Sequence, residues 1–323
     1  MNHIDHTFSY LKKPKVSNDA IYDEYRDLWY DRPTNREPGE YPIHVDIETT
    51  TLCNLRCKMC FQSFDPPKPT TMDKSLVKKI IDEISGKVYS MKFQYRGEPL
   101  TDANMCEYIH YAKRKGITEV MINTNANLLT PGKAQEIIDS GLDKLICSVE
   151  GSNADVYNET RIGGNFDRVV GNIKGLIKLR NSLGYAKPIV RVQMVKTESN
   201  STDVKKFLKF WGKIVDEVAV EDELDYRAEM EDRTVLEDWA CPQLYQRLVV
   251  LADGDIVPCC RAIHGGTGKQ VVLGNVKSIS IKDAWDGLQQ KAIRHYNETG
   301  MSHKVDMCAR CGLRKDMVKR LKE

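Results

Sequence analysis

Between Tyr41 and Val220 the chain alternates strand-like and helix-like runs, and few folds accommodate that pattern. Strands are predicted over Ile43–Thr49, with its β-branched residues, and over Tyr89–Tyr95, Thr118–Thr124, Leu142–Val149, Ile189–Val195 and Val215–Val220. Between them, helices are predicted over Asp73–Ser85, Asp102–Lys115, from Pro131 onward, Phe166–Ser182 and Asp203–Trp211. Six strand–helix units imply an α/β fold with a parallel sheet and outer helices. Right-handed crossovers would curl that sheet into a partial (β/α)6 barrel, whose chemistry belongs at the C-terminal ends of the strands. Residues 1–41, tyrosine-rich and weakly periodic, read as an N-terminal extension, with Asp31–Gly39 as a loop. The barrel then covers 42–221. Residues 222–323 read as a small cysteine-rich α+β domain with few helical signals, entered through the acidic stretch Glu221–Asp238. There Asp253-Gly254 marks a hairpin between Arg247–Leu251 and Asp255–Val257.

Bulk properties narrow the function. Lys and Arg number 48 against 46 Asp and Glu, so no basic footprint for nucleic acid stands out. No apolar run approaches the ~20 residues that span a bilayer, and Met1–Tyr10 is too polar for a signal peptide, which points to the cytoplasm. In that reducing compartment ten cysteines suggest metal binding or catalysis, not disulfides. They are clustered: three lie in 53–60 and five in 241–311, leaving Cys106 and Cys147 as core residues.

The first cluster, Cys53-Asn-Leu-Arg-Cys57-Lys-Met-Cys60, follows the first strand. A cubane iron–sulfur cluster normally takes four thiolates, so three close together leave one iron open, as a catalytic metal requires. A zinc site or incidental thiols are the alternative. Together with Phe61 after the last cysteine and Gly97-Glu98-Pro99 after the second strand, this loop resembles the radical S-adenosylmethionine superfamily over about residues 42–220. The resemblance implies a [4Fe–4S] cluster on Cys53, Cys57 and Cys60 whose open iron chelates S-adenosylmethionine. It further implies adenine contact by Met59, with Phe61 beside it, and binding of the methionine amino group by Gly97, Glu98 and Pro99. Asn125, Ser148 and Arg161 complete the cofactor set, Arg161 pairing with the carboxylate. Ser148 and Glu150 are alternate residues of one strand and share a face, so they would reach ribose or substrate. Each polar residue also has an ordinary reading as a cap or surface contact.

The C-terminal cysteines, with Asp253-Gly254, Pro258-Cys259-Cys260, Leu273-Gly274-Asn275 and Trp285, resemble a SPASM or shorter Twitch extension. That likeness implies one auxiliary [4Fe–4S] cluster on Cys241, Cys259, Cys308 and Cys311, with a structural zinc as runner-up. Cys260 points away from Cys259 in an extended chain. It is either an inert thiol or a hydrogen-atom donor, which would make the enzyme an epimerase.

Residues 1–41 do not read as a leader-binding module, which favours a small carbohydrate-like substrate over a peptide. The acidic residues Glu221, Asp222, Glu223, Asp225, Glu229 and Glu231 would attract an amino-sugar, or simply be solvated surface. The expected reaction is epimerisation or alcohol dehydrogenation, with Glu150 near the substrate and an external flavodoxin- or ferredoxin-type one-electron reductant. Peptide or protein maturation and a non-catalytic metal-binding interaction protein stand as alternatives, and nucleic-acid modification as a more remote one.

Overall fold

The computed structural model describes residues 19–223, 233–237, 239–262 and 271–322. An N-terminal helix α1 (Ala20–Asn35) precedes six strand–helix units: β1 (His44–Ile47), α2 (Lys74–Ile84), β2 (Ser90–Lys92), α3 (Met105–Arg114), β3 (Glu119–Thr124), α4 (Pro131–Asp139), β4 (Lys144–Ser148), α5 (Ala154–Thr160), α6 (Phe166–Ser182), β5 (Ile189–Lys196), α7 (Val204–Trp211) and β6 (Glu217–Asp222). These strands pair in parallel in chain order, β1 to β6. A strand order that never reverses puts every right-handed crossover on one face, which leaves the other face to curl inward. The fold is thus the α/β partial barrel that the alternation predicts.

The helices form where an apolar stripe meets a cap. In α2, Asp73 accepts from Ser75 N at 2.7 Å, and Val77, Ile80, Ile81 and Ile84 bury one face. Each such side chain contributes about 1.5–3 kcal/mol on leaving water. The stripe packs on the outward residues of the sheet, such as Val45, Met91 and Val120, in one hydrophobic core.

The inward face is different. Registered residues of parallel strands share a face, and the inward rows read His44–Ser90–Glu119, Asp46–Lys92–Met121–Lys144 and Asn123–Ile146–Arg191–Glu217. This bore is polar, and its charges are paired: Asp46 with Lys92 (3.0 Å) and Arg247 (3.2 Å), Glu217 with Lys144 (2.8 Å). The curl is visible electrostatically. Lys92 on β2 lies close enough to Glu221 on β6 to favour its charged form, although three strands intervene along the sheet.

Several boundaries depart from the sequence expectation. Asp31–Gly39 is not all loop, because α1 continues to Asn35 with Pro33 inside it. A proline ends a helix by orphaning and crowding the carbonyl four residues back. Here that carbonyl, Trp29 O, accepts from Gln246 Nε2 at 2.8 Å instead. The helix expected from Asp102 is a 3-10 turn over Pro99–Thr101 followed by α3, and α5 was not foreseen although Asn153 caps it on Val156 N. Within the barrel, α1 covers the N-terminal strand ends. Tyr25 stacks on Tyr89 (6.0 Å between centroids), and Trp29 lies edge-on to His44 (6.1 Å).

The C-terminal part extends the same sheet. After α8 (Gln243–Gln246), β7 (Arg247–Val250) pairs parallel to β1, and β8 (Asp255–Val257) and β9 (Gly274–Asn275) follow antiparallel. The predicted hairpin is present, with Gly254 at φ 97°, in the left-handed region that glycine adopts freely. Helices are more numerous here than expected: α9 (Ile281–Asp286), α10 (Leu288–Glu298), α11 (Asp306–Ala309) and α12 (Gly312–Lys322). The start of α9 was legible, since Ser280 and Asp283 form a capping box. Cys147 is fully buried and Cys106 partly so, both within or against the main core, as expected. No helix among the described residues is long and apolar enough to cross a membrane.

Candidate active site

The residues singled out in the barrel gather at the C-terminal ends of β1 to β4. The cysteine loop leaves β1 through Thr50 and Thr51. Arg56 N donates to Ile162 O at 2.9 Å and Lys58 N to Thr160 O at 3.0 Å, which laces the loop to the end of α5. Gln62 Nε2 donates to Thr51 O (2.9 Å) and Arg96 O (2.6 Å), joining the loop to the segment after β2. Cys57 is buried, and Cys53 and Cys60 are half-buried. Burial pushes the Cys53 thiol up to about 11 and raises Cys57 as well, and the neighbouring thiols add to it. A bound cation reverses this logic and deprotonates a thiol outright. Three thiols on one short loop, two of them already accepting hydrogen bonds as a thiolate would, thus fit a cluster.

Gly97 runs so close to β1's extension that a Cβ there would collide with the Thr50 carbonyl, so only glycine fits. Glu98 is buried, and its carboxylate is used internally: it accepts from Thr124 Oγ1 at 2.6 Å, Asn125 N at 2.7 Å and Leu100 N at 3.1 Å. Burial raises its pKa, and these donors oppose the shift. The side chain of Glu98 is therefore occupied in tying β2 to β3, and the carbonyls of Glu98 and Pro99 already accept from Thr101 and Asp102, which makes the Gly97 carbonyl the acceptor this segment can best offer an ammonium. Asn125 is likewise engaged, donating to Asn54 Oδ1 at 2.8 Å and accepting from Asn127 N at 3.0 Å. Met59, Phe61 and Ser148 stay half-buried at this end, with Phe61 edge-on to Phe64 at 5.6 Å.

Glu150 and Arg161 form a buried ion pair, and Arg161 Nη1 also donates to Cys57 Sγ at 3.4 Å. Glu150, expected near ribose or substrate, is thus held by a cation, and Arg161, expected on the S-adenosylmethionine carboxylate, bonds two protein partners. Sequence reasoning overlooked Glu48, which accepts from Arg96 Nε (2.7 Å), Arg96 Nη2 (2.6 Å) and Ala252 N (3.1 Å). Its signal was that His44, Asp46 and Glu48 alternate with Ile43, Val45 and Ile47, which puts a second acid on the polar face of the strand.

In the C-terminal part, Cys259 belongs to a second small core, against which Cys241, Cys260 and Cys308 pack. Burial pushes the thiols of Cys241, Cys259, Cys308 and Cys311 upward; neighbouring thiols add to it, Cys260 among them for Cys241, Cys259 and Cys311. Such a buried set suits thiolates on iron, where each sulfur takes its own corner. Among the described residues no three ligand side chains converge on a single-ion site. Cys260 hydrogen-bonds Gln243 Oε1 through sulfur (3.4 Å), and its carbonyl accepts from the Tyr95 hydroxyl (2.9 Å), a bridge to the barrel mouth. Of the acidic stretch, Glu221 turns into the bore, Asp222 pairs outside with Lys196 (2.5 Å) and Glu223 is exposed. Asp225, Glu229 and Glu231 lie outside the described residues.

A profile of the radical SAM superfamily matches residues 47–185, and one of an iron–sulfur cluster-binding domain, SPASM, matches 241–312. A Pyrococcus furiosus tungsten-containing aldehyde ferredoxin oxidoreductase cofactor-modifying protein is 26% identical, covering 84% of this chain and 87% of that protein. Other relatives, at 30–32% identity, align over only 40–43% of their own length. The fold resembles Streptococcus suis SuiB bound to precursor peptide SuiA (TM-score 0.65, 15% identity, 90% of this chain and 77% of that one). It also resembles BtrN in complex with AdoMet and 2-DOIA (TM-score 0.52, 18% identity, 83% and 92%).

Proposed function

Because the chain belongs to the radical S-adenosylmethionine superfamily and carries an iron–sulfur cluster-binding SPASM domain, we propose that it removes a hydrogen atom from a small polyhydroxylated or amine-bearing molecule, leading to epimerisation or alcohol dehydrogenation. When bound, the cluster and S-adenosylmethionine supply a 5′-deoxyadenosyl radical for that removal. Cys53, Cys57 and Cys60 would hold this cluster, and Cys241, Cys259, Cys308 and Cys311 a single auxiliary one of the Twitch kind. The Gly97–Pro99 segment, through the Gly97 carbonyl above all, would receive the ammonium of S-adenosylmethionine, with Met59 and Phe61 at its adenine and Asn125 and Ser148 alongside. The division at 42–221 and 222–323 is retained as a division of labour, one part for each cluster.

One observation carries the substrate reading. The other buried acids of the bore and its rim each have a partner: Asp46, Glu48, Glu98, Glu119, Glu150 and Glu217 are bonded to cations or donors. The Glu221 carboxylate makes no hydrogen bond among the described residues, yet it sits half-buried at the C-terminal end of β6. Burial raises its pKa, while Arg191, Arg261 and Lys92 oppose the shift. A carboxylate placed there can accept from a substrate hydroxyl or ammonium, and burial makes it a stronger base than a solvated carboxylate. Dehydrogenation needs such a base, and we assign Glu221 in place of Glu150. Inversion needs a hydrogen donor, and Cys260 remains our candidate: its S–H would give one hydrogen atom to the substrate radical, and the thiyl left behind would regain one proton and one electron, the electron coming from the external flavodoxin- or ferredoxin-type reductant that also serves the enzyme's first cluster. Ten free cysteines suit a cytoplasmic setting.

The test begins with iron in anaerobically reconstituted protein: about eight per chain, falling to about four when Cys53, Cys57 and Cys60 become Ala. Hexosamines, aminocyclitols, polyols and peptides are then screened for stimulated 5′-deoxyadenosine release. A response to an amino-sugar or polyol, with Glu221→Gln lowering kcat/KM at least about 100-fold, is expected. A response to peptides alone would make the protein a maturase and overturn the substrate reading.

A further inference from the structure

We infer that Arg161 sets the reduction potential of the cluster in the 53–60 loop, and that Glu150 moderates it. The inference rests on reading Cys57 as a ligand of that cluster.

Arg161 follows α5 as its C-cap, and its backbone N–H donates to Tyr157 O at 2.9 Å. The cysteine loop is laced to the chain on both sides of it, through Thr160 O and Ile162 O. Gly164 tightens the same turn, since a Cβ there would meet the Tyr157 ring. The guanidinium is therefore delivered to the loop by main-chain bonds. Nη1 reaches Cys57 Sγ at 3.4 Å, and Nε holds Glu150. Glu150 is fixed from its far side by Val195 N (3.4 Å to Oε1) and Asn200 Nδ2 (3.5 Å to its carbonyl). The Glu150 side chain is 0% exposed and that of Arg161 13%.

Two opposite charges at unequal distances from one sulfur act with unequal force. Only the arginine is in hydrogen-bonding contact with Cys57, so its field dominates, and the carboxylate behind it subtracts. Reduction adds a negative charge to a cluster, so a hydrogen-bonded cation favours the reduced form and raises the potential. In a site this dry, salt does little to screen the effect. A pair that served only to hold the turn would sit equally well elsewhere along α5, with no bond to sulfur.

The test is a redox titration of the reconstituted holoenzyme followed by electron paramagnetic resonance. The signal belonging to the 53–60 loop is identified by its loss in Cys57→Ala, and the auxiliary signal is the internal reference. Glu150→Gln keeps the shape and leaves the arginine uncompensated, so the reduced fraction at fixed potential should rise. The double variant Glu150→Gln/Arg161→Met removes both charges and leaves no buried ion unpaired. It should lower the reduced-to-oxidised ratio about tenfold, about 59 mV for a one-electron couple, with the auxiliary midpoint unmoved. Unchanged midpoints in both variants at full iron content would overturn the inference. Survival of the loop signal in Cys57→Ala would instead overturn the ligand reading beneath it.

Discussion

Glu98 shows how a residue can be conspicuous in sequence for one role and occupied by another. Its carboxylate collects one hydroxyl and two main-chain N–H donors, and so stitches the ends of β2 and β3 into the rim on which the site is built. Removing it strands buried donors, each costing about 1–3 kcal/mol. Glu98→Ala should therefore destabilise the protein by about 3 kcal/mol, measured by urea denaturation of the iron-free form. A loss under about 1 kcal/mol would mean that water replaces the carboxylate. Position in the chain correctly brought Gly97, Glu98 and Pro99 to the strand end. Which atoms of Glu98 remain available was not legible, because Thr124 and Asn125 come from a different strand. The same holds for Glu150, which reads as a strand-end acid until Arg161 is seen beside it.

Among the elements, α1 is the one whose purpose the sequence concealed. It has no strong apolar stripe, because what it covers is not apolar: the N-terminal ends of the strands present His44, Ser90 and Glu119. Tyr25 and Trp29 meet that surface with aromatic bodies and polar tips, which an amphipathic pattern of aliphatic residues would not do. Tyr25 is 2% exposed, and burial raises its hydroxyl well above the usual phenol range. Tyr25→Ala should cost about 3–5 kcal/mol, the range for a buried aromatic. Thermal unfolding measures this, and the iron content should stay normal, since α1 lies at the opposite end from the cysteine loop. Loss of iron along with stability would show that the two ends are coupled. The error over Asp31–Gly39 has the same origin: Pro33 stops a helix unless a distant side chain takes up the freed carbonyl, and Gln246 does so.

In the whole molecule, the six-strand core and the cysteine-rich part share one sheet, and part of the latter packs into the main hydrophobic core while the cysteines gather around a second, smaller one. Leu248, Val250, Ile256 and Trp285 pack in the same cluster as Val45 and Met91. The packing of both parts into the main core predicts one cooperative calorimetric transition for the iron-free protein, despite two family matches in the sequence. Two separated transitions would mean that 222–323 unfolds as an independent domain. The sequence by itself determined the alternation of strand and helix, the position of the three-cysteine loop after the first strand and the four C-terminal thiols. Those are local patterns, set by periodicity, capping and spacing within short stretches. Only the tertiary structure decided which charges are spent and which are left. Strand register and the inward curl bring Lys92 near Glu221, Arg161 to Cys57 and α1 under the bore. No short stretch of chain contains both members of those pairs, so no reading of local pattern could join them.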